Sequence, residues 1–358
     1  MQIIRFDALT GFRAFAASLV FVYHNRKYWR AHLHPEVLRF FNEMHIGVSL
    51  FFILSGFLLA YTYGEKPLNS ISQYRKYILT RFARIFPLYW LILTAFYLDP
   101  KFKDVGHYFH TYSLFHGFSN KLNLDGIAQA WSLSVEFTFY LLLPLLVVLE
   151  RKHILVLVLF LVGLFLVTVG IGYGWTAWNG NPQQFLYPTK FVIGSTFAGK
   201  SSEFLGGMFL ARLLRNQNDQ YTRFWDFKYK TLIGFIGVFS TAYAIGCFQP
   251  DIFHHGTDHP IGLLLHILVL PLFVLFLLAG LINEATYIQR VFSTKLMVLL
   301  GKASFAFYLI HISYVNIRLR WIWIGPDRNF ILLWLISIAL FLLFENPIYI
   351  WIRKKMNS

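Results

Sequence analysis

Charge is what this sequence has least of. Asp, Glu, Lys and Arg make up 14% of its 358 residues, while 57% are hydrophobic and 19% aromatic. A soluble domain carries about 25% charged residues, so too few charges are present to clothe this chain in water, and much of its surface faces lipid. Cysteine is nearly absent. Cys247 stands by itself, which excludes an internal disulfide and leaves the redox compartment unread. Acidic residues are outnumbered, 17 against 32 Lys and Arg, for a net charge of +15. The basic residues fall in short clusters between apolar runs, as in the cytoplasmic loops of membrane proteins, and no nucleic-acid partner is expected. The N-terminus does not read as a cleaved leader, because its first apolar run holds Arg13 and no small-residue cleavage site follows. Internal repeats, low-complexity tracts, a glycine-rich phosphate loop and a Ser-His-Asp pattern in a strand–turn–helix setting are all missing.

What is present is a succession of apolar stretches. A helix needs about 20 mostly apolar residues to cross a bilayer. About ten stretches qualify, at residues 8–28, 45–63, 77–98, 128–149, 153–172, 203–215, 231–248, 260–282, 296–318 and 329–352, the sixth being the shortest. The expected fold is all-α, a polytopic membrane bundle filling residues 1–358 as a single domain. Basic segments at 65–84, 151–152, 212–230 and 290–295 and the tail Arg353, Lys354, Lys355 fall on one side if both termini are cytoplasmic, although Arg26, Lys27 and Arg30 spoil the pattern. Residues 99–127 and 173–202 are the long outer connections.

Ionisable residues inside apolar helices are costly and face a bundle interior or a wet cavity. In the first stretch, His24 follows Arg13 by eleven positions, so both share one helix face about 16 Å apart along the axis; the bland alternative is a snorkelling arginine with an interfacial histidine. Arg81 and Arg84, spaced i,i+3, suit phosphate oxygens, which guanidinium groups grip in pairs; positive-inside anchoring explains the charge equally well. Glu136 lies in an apolar run with Tyr140 a turn on and Trp131 and Ser134 before it, and must be paired, protonated or open to a cavity, Arg13 and His24 being suitable partners. Ser55 and Gly56 suit close helix packing, and His311 reads first as a packed histidine. Glu345 has the makings of a helix anchor through Arg or Tyr. No His/Cys/Asp spacing is convincing for a metal; His254-His255 with His259 is weak and is explained by a polar outer loop.

In order along nearly the whole chain, Arg13 with His24, GVSLFFILSGFLL, RFARIFPLYW, WSLSVEFTFYLLLPLL, LGKASFAFYLIH and the closing FENP resemble the acyltransferase-3 family of bacterial membrane acyltransferases, which modify cell-surface and secreted glycans. Thr10-Gly11-Phe12 departs from the Asp-Gly-Leu common in the family, and Asp7 stands upstream. Some members carry an added hydrolase-like domain, which is not expected here. The resemblance implies a multi-pass protein of the bacterial cytoplasmic membrane, with acyl-CoA, usually acetyl-CoA, as co-substrate and no tightly bound cofactor. It implies a catalytic role for His24, support from Arg13, and CoA binding at Arg81 and Arg84. Glu136 joins the catalytic candidates, with Ser55, Trp131, Ser134, Tyr140 and His311 as substrate or support positions. The acceptor is a glycan or glycolipid hydroxyl; its identity and the oligomeric state are not readable. The rival reading is a transporter or flippase of a glycan or lipid intermediate, which also uses intramembrane charge. Tyr173, Trp175, Trp178 and Tyr187 suit sugar stacking or an interfacial aromatic belt equally.

Overall fold

A computed structural model describes residues 6–26, 28–29, 33–65, 68, 70–99, 107–215, 227–251, 254–313, 315–316 and 326–357. Lys27, Arg30 and Lys66 of the charge argument, residues 216–226 of the basic segment and 100–106 of the outer connection lie outside the described residues. The described chain is helical apart from an isolated antiparallel bridge between Ser119 and Phe185.

The principal helices are α1 (Asp7–Asn25), α2 (Pro35–Asn42), α3 (Ile46–Tyr63), α4 (Ile71–Tyr97), α5 (Tyr108–Tyr112), α6 (Trp131–Lys152), α7 (Ile154–Asn179), α8 (Thr189–Ser195), α9 (Phe197–Arg215), α10 (Lys230–Gly246), α11 (Pro260–Leu264), α12 (Leu270–Asn283), α13 (Tyr287–Phe292), α14 (Lys295–Ile310), α15 (Pro326–Leu340) and α16 (Asn346–Asn357). Two π turns, Leu265–Val269 and Phe341–Glu345, join α11 to α12 and α15 to α16. Each apolar stretch read from the sequence contains a helix. Among the described residues, six segments are long and apolar enough to cross a membrane: Pro35–Tyr63, Ile71–Tyr97, Ala128–Lys152, Ile154–Asn179, Pro260–Asn283 and Arg328–Met356. The chain is therefore a multi-pass membrane protein.

Boundaries moved where capping outweighs hydropathy. Ser70 accepts a hydrogen bond from the Gln73 N–H at 3.2 Å and starts α4 six residues before the expected 77, so Arg75 and Lys76 ride on the helix rather than in a loop. His153 both ends α6 and caps α7 by accepting from the Leu155 N–H at 3.1 Å. The weak sixth stretch, 203–215, is a full α9 of 19 residues; its first turns, FAGKSSE, lack the apolar signal. The stretch expected to reach 318 stops at Ile310, and His311 falls in the turn beyond it.

The chain divides into two compact units, each assembled from distant segments: Met1–Tyr61, Ser202–Tyr308 and Trp323–Ile338 form the first, and Thr62–Ser201, Leu309–Ile322 and Ala339–Ser358 the second. In the first unit α3 passes close to α1 and α9. A Cβ on Gly47 would stand 2.4 Å from the Ala16 carbonyl oxygen, and one on Gly56 2.3 Å from that of Phe204, so only glycine allows these approaches. Phe52 stacks on Phe204 at 4.9 Å in the same contact. The N-terminus of α10 is capped from a distance. Glu284 accepts from the backbone N–H groups of Lys230 and Thr231 at 2.8 and 2.9 Å and from Thr231 Oγ1 at 2.7 Å.

In the second unit the connection before α6 and the one after α7 are tied together. Asn120 N–H donates to Gln184 O at 3.1 Å, Leu186 N–H to Phe118 O at 2.8 Å, and Asn120 Nδ2 to Gln184 Oε1 at 2.6 Å. Ser119 Oγ donates to Gln183 O. Asn181 braces the second loop by accepting from the Phe185 N–H at 2.7 Å and donating to Phe185 O at 3.0 Å.

Candidate active site

In the first unit the helix α1 is unbroken from Asp7 to Asn25. The eleven-residue spacing therefore holds, and Arg13 and His24 lie on one face about 20° apart. Both are half-buried, and both have interaction partners. His24 sits in the last turn with the Tyr23 ring 4.6 Å from its own.

Around this end of α1 the fold gathers ionisable groups that sequence reasoning passed over. Tyr23 Oη lies 3.2 Å from His255 Nε2. The His45 ring is 5.6 Å from Tyr23, 4.8 Å from His255 and 5.7 Å from His266, on which it stacks at 7°. Ser49 Oγ donates to Glu203 Oε1 at 3.1 Å and lies 3.1 Å from His266 Nε2, which is itself 3.4 Å from Glu203 Oε1. Glu203 and His266 are each only 2% exposed. Because one imidazole nitrogen meets both the hydroxyl and the carboxylate, this is a polar network and not a relay with serine and acid on opposite sides of the ring. Glu203 and His266 sit within apolar stretches, and the cost of burying such groups was the signal that should have singled them out. Glu43 and His255 lay outside the expected apolar stretches and His45 stood at the very start of one, so none was singled out; the chain brings His45 and His255 together from 210 residues apart. The weak His254-His255-His259 grouping does not form; His255 joins Glu43 and His45 instead. Ser55 is half-buried on α3 beside the packing glycine Gly56.

The second unit holds the arginine and Glu136 candidates. Arg81 is enclosed by tyrosines: its guanidinium carbon lies 5.9, 5.6 and 5.8 Å from the rings of Tyr63, Tyr77 and Tyr140, and Nη2 donates to Tyr63 Oη at 3.3 Å. Tyr140 in turn donates to Glu136 Oε1 at 2.5 Å, one helical turn away on α6. Arg81, Tyr140 and Glu136 thus form one connected group. Arg84 does not lie beside Arg81 as a second open guanidinium. Its Nη1 is 2.7 Å from Glu345 Oε1 in the second π turn, which is the anchor expected for Glu345. Ser134 braces the connection before α6, donating to Leu114 O at 2.7 Å, and Trp131 opens the same helix. His311 is fully buried, with Asn316 Nδ2 donating to its carbonyl oxygen and Gln129 Nε2 donating to Leu309 O at 2.8 Å. A small apolar cavity of about 230 Å³ opens beside Tyr63, lined by Leu143, Pro144, Val147 and Val148.

His116, in the tied connection before α6, is fully buried. Burial pushes its imidazole down to about 4; its contact with the His110 carbonyl works against that shift and the His110 ring adds to it.

These features define a multi-pass helical membrane protein whose buried ionisable groups are paired with one another and with polar side chains. The chain belongs to the acyltransferase-3 family: the family's acyltransferase domain matches residues 6–348. It is 21% identical over 335 residues to a putative O-acetyltransferase of Staphylococcus aureus, covering 86% of this chain and 50% of the relative. It is 22% identical over 351 residues to a peptidoglycan O-acetyltransferase of Listeria monocytogenes, covering 87% of this chain and 49% of that protein. An acyltransferase of Streptomyces mycarofaciens is 31% identical over 178 residues, 42% of this chain and 41% of its own. The chain spans about half the length of the curated relatives it matches. No solved structure matches it significantly.

Proposed function

We propose that this chain transfers an acyl group, most simply acetyl, from acyl-CoA to a hydroxyl of a glycan or glycolipid at the bacterial cytoplasmic membrane. The observation that carries the reading is His24, half-buried in the last turn of α1, on the same helix face as Arg13 and with the Tyr23 ring 4.6 Å from its own. Membership of an acyltransferase family and the O-acetyltransferase names of two relatives support it. The name of the Listeria relative favours a peptidoglycan-like acceptor.

In the proposed reaction the neutral His24 imidazole takes the proton of the acceptor hydroxyl as its oxygen attacks the thioester carbon. The carbon–sulfur bond breaks, and the departing CoA sulfur takes the proton back from the imidazolium. In the covalent variant the imidazole nitrogen is acylated first and then deacylated by the sugar oxygen, with the same balance. Arg13 supports the site from the same helix face. Arg81 meets the CoA phosphates, Arg84 stays paired with Glu345 as an anchor, and Glu136 acts with Arg81 through Tyr140. Ten crossings with both termini cytoplasmic complete the proposal, and they bring acyl-CoA to the side where it is made.

The test is purified protein with labelled acetyl-CoA, peptidoglycan fragments or lipopolysaccharide as acceptor, and CoA release as readout. His24→Ala is expected to lose about 10²–10⁴-fold in rate while inserting normally. An inserted His24→Ala protein with full activity sinks the assignment, and glycan movement without acyl-CoA consumption returns the transporter reading.

A further inference from the structure

We infer that Glu43, His45 and His255 form a binding site for a divalent cation of the zinc class. One donor atom from each lies within 4.8 Å of the other two. The three come from two segments: Glu43 and His45 from the short turn between α2 and α3, and His255 from the loop between α10 and α11.

The second observation is the state of the Glu43 carboxylate, which is fully buried at 0% exposure. Oε1 is held firmly, accepting from Gln249 Nε2 at 2.6 Å and from the Gly256 N–H at 2.8 Å. Oε2 has no hydrogen bond among the described residues; it faces His45 Nδ1 at 3.6 Å, beyond hydrogen-bond length. A buried carboxylate with one open oxygen is costly to leave uncompensated. The neighbouring cation Arg26 is directed elsewhere, donating to Tyr23 O at 2.8 Å with its guanidinium over the Tyr23 ring. A metal ion at the open oxygen supplies a counter-charge that does not depend on protonating His45.

The surroundings resemble those that orient metal ligands, which are themselves held by outer hydrogen bonds. Gln249 and Gly256 fix Glu43, Asn42 O lies 3.2 Å from His45 Nδ1, and Tyr23 Oη lies 3.2 Å from His255 Nε2. Two imidazoles and a carboxylate suit zinc and its neighbours, whereas magnesium and calcium take oxygen donors. Tetrahedral zinc with bonds of about 2.0–2.2 Å places its ligand atoms about 3.4 Å apart. Loading the site therefore requires a contraction of little more than about 1 Å, within reach of ring rotation at His45 and His255. Three protein ligands leave the fourth position to water. The ion would clamp the turn before α3 to the 249–256 loop, a contact that Asn42 already begins by donating to His254 O at 2.7 Å. The inference is independent of the chemistry assigned to His24.

The experiment uses full-length protein in detergent, purified on a tag without histidine, equilibrated with Zn²⁺, desalted and analysed for metal by mass spectrometry. Wild type is expected to retain about one ion per chain and to melt higher in Zn²⁺ than in chelator. Glu43→Gln and His255→Ala are each expected to weaken binding at least about tenfold and to lose the thermal shift. His254→Ala, an exposed histidine ion-paired to Asp251, is expected to bind as wild type. Should Glu43→Gln elute aggregated, His45→Gln takes its place. Wild-type protein that retains no zinc overturns the inference. So does retention that survives loss of Glu43 and His255 but falls with His254, which would mean an adventitious ion only.

Discussion

Arg84→Met should destabilise the protein more than Glu345→Leu, and the double variant should recover most of the loss. The Arg84–Glu345 pair is short, 2.7 Å, and lopsided: the Glu345 side chain is 2% exposed and that of Arg84 25%. Removing the guanidinium strands a buried carboxylate, and breaking a buried pair from one side costs about 3–5 kcal/mol. The Arg84 side of the pair is a quarter exposed, so water already screens it in part and the lower end, about 3 kcal/mol, is the expectation. Removing the carboxylate instead leaves an arginine that can turn outward, at about 1–2 kcal/mol. With both charges replaced by apolar groups the desolvation cost disappears as well, and the double variant should approach wild type, a strong departure from additivity. The assay is the fraction of detergent-solubilised protein that stays monodisperse after heating, read by size exclusion for all four proteins. Equal stability of Arg84→Met and wild type, or a double variant as poor as the two losses added, refutes the reasoning. A raised KM for acyl-CoA with unchanged melting would make Arg84 a donor contact and not an anchor.

Two further predictions concern groups outside the spanning helices. His116 is buried neutral with its pKa lowered to about 4 from 6.5, so the unfolded chain binds the proton more readily. Its contribution is complete above pH 6.5 and declines as pH falls towards 4, a loss on the order of 3 kcal/mol; melting curves of wild type and His116→Gln across that window should converge at the acid end, and parallel curves refute the assignment. Glu284 behaves as a carboxylate held below its usual range: burial pushes it up, but the hydrogen bonds from Thr231 and Lys230 and the Lys230 charge outweigh burial. Its stabilisation is therefore present above the ordinary carboxylate range and lost as pH falls through the lowered value. Glu284→Ala should cost about 1 kcal/mol near neutral pH, as for a lost helix cap, with the difference shrinking in acid; a difference that grows in acid contradicts the sign.

Hydropathy made the helices legible, because a spanning helix must be apolar along its length, and the same logic located Arg13, His24 and Glu136. It could not foresee what those groups would meet. Arg81 and Arg84, read as a matched pair by their spacing, diverge because each has a partner of its own: tyrosines for Arg81 and a distant carboxylate for Arg84. Ser134, placed near Glu136 by periodicity, turns instead to the Leu114 carbonyl, and the fit is close enough that a Cβ on Gly117 would come within 2.3 Å of its hydroxyl. The histidine cluster was hidden for a different reason. His45 stands at the first residue of an apolar stretch and His255 in a connection, where no periodic signal marks a face, and only the return of the chain joins them.

The two π turns explain another part of what periodicity missed. Each is followed, at the second residue beyond it, by a proline: Pro271 after Leu265–Val269 and Pro347 after Phe341–Glu345. Proline has no N–H to donate and its ring crowds the carbonyl one turn back. Widening the preceding turn relieves that clash without ending the helix, and the extra residue rotates everything downstream by about 100° relative to a regular α-helix. In each case the widened turn carries a buried ionisable side chain to a partner, His266 to Ser49 and Glu203, and Glu345 to Arg84. A face assignment at constant 3.6-residue period fails across both turns.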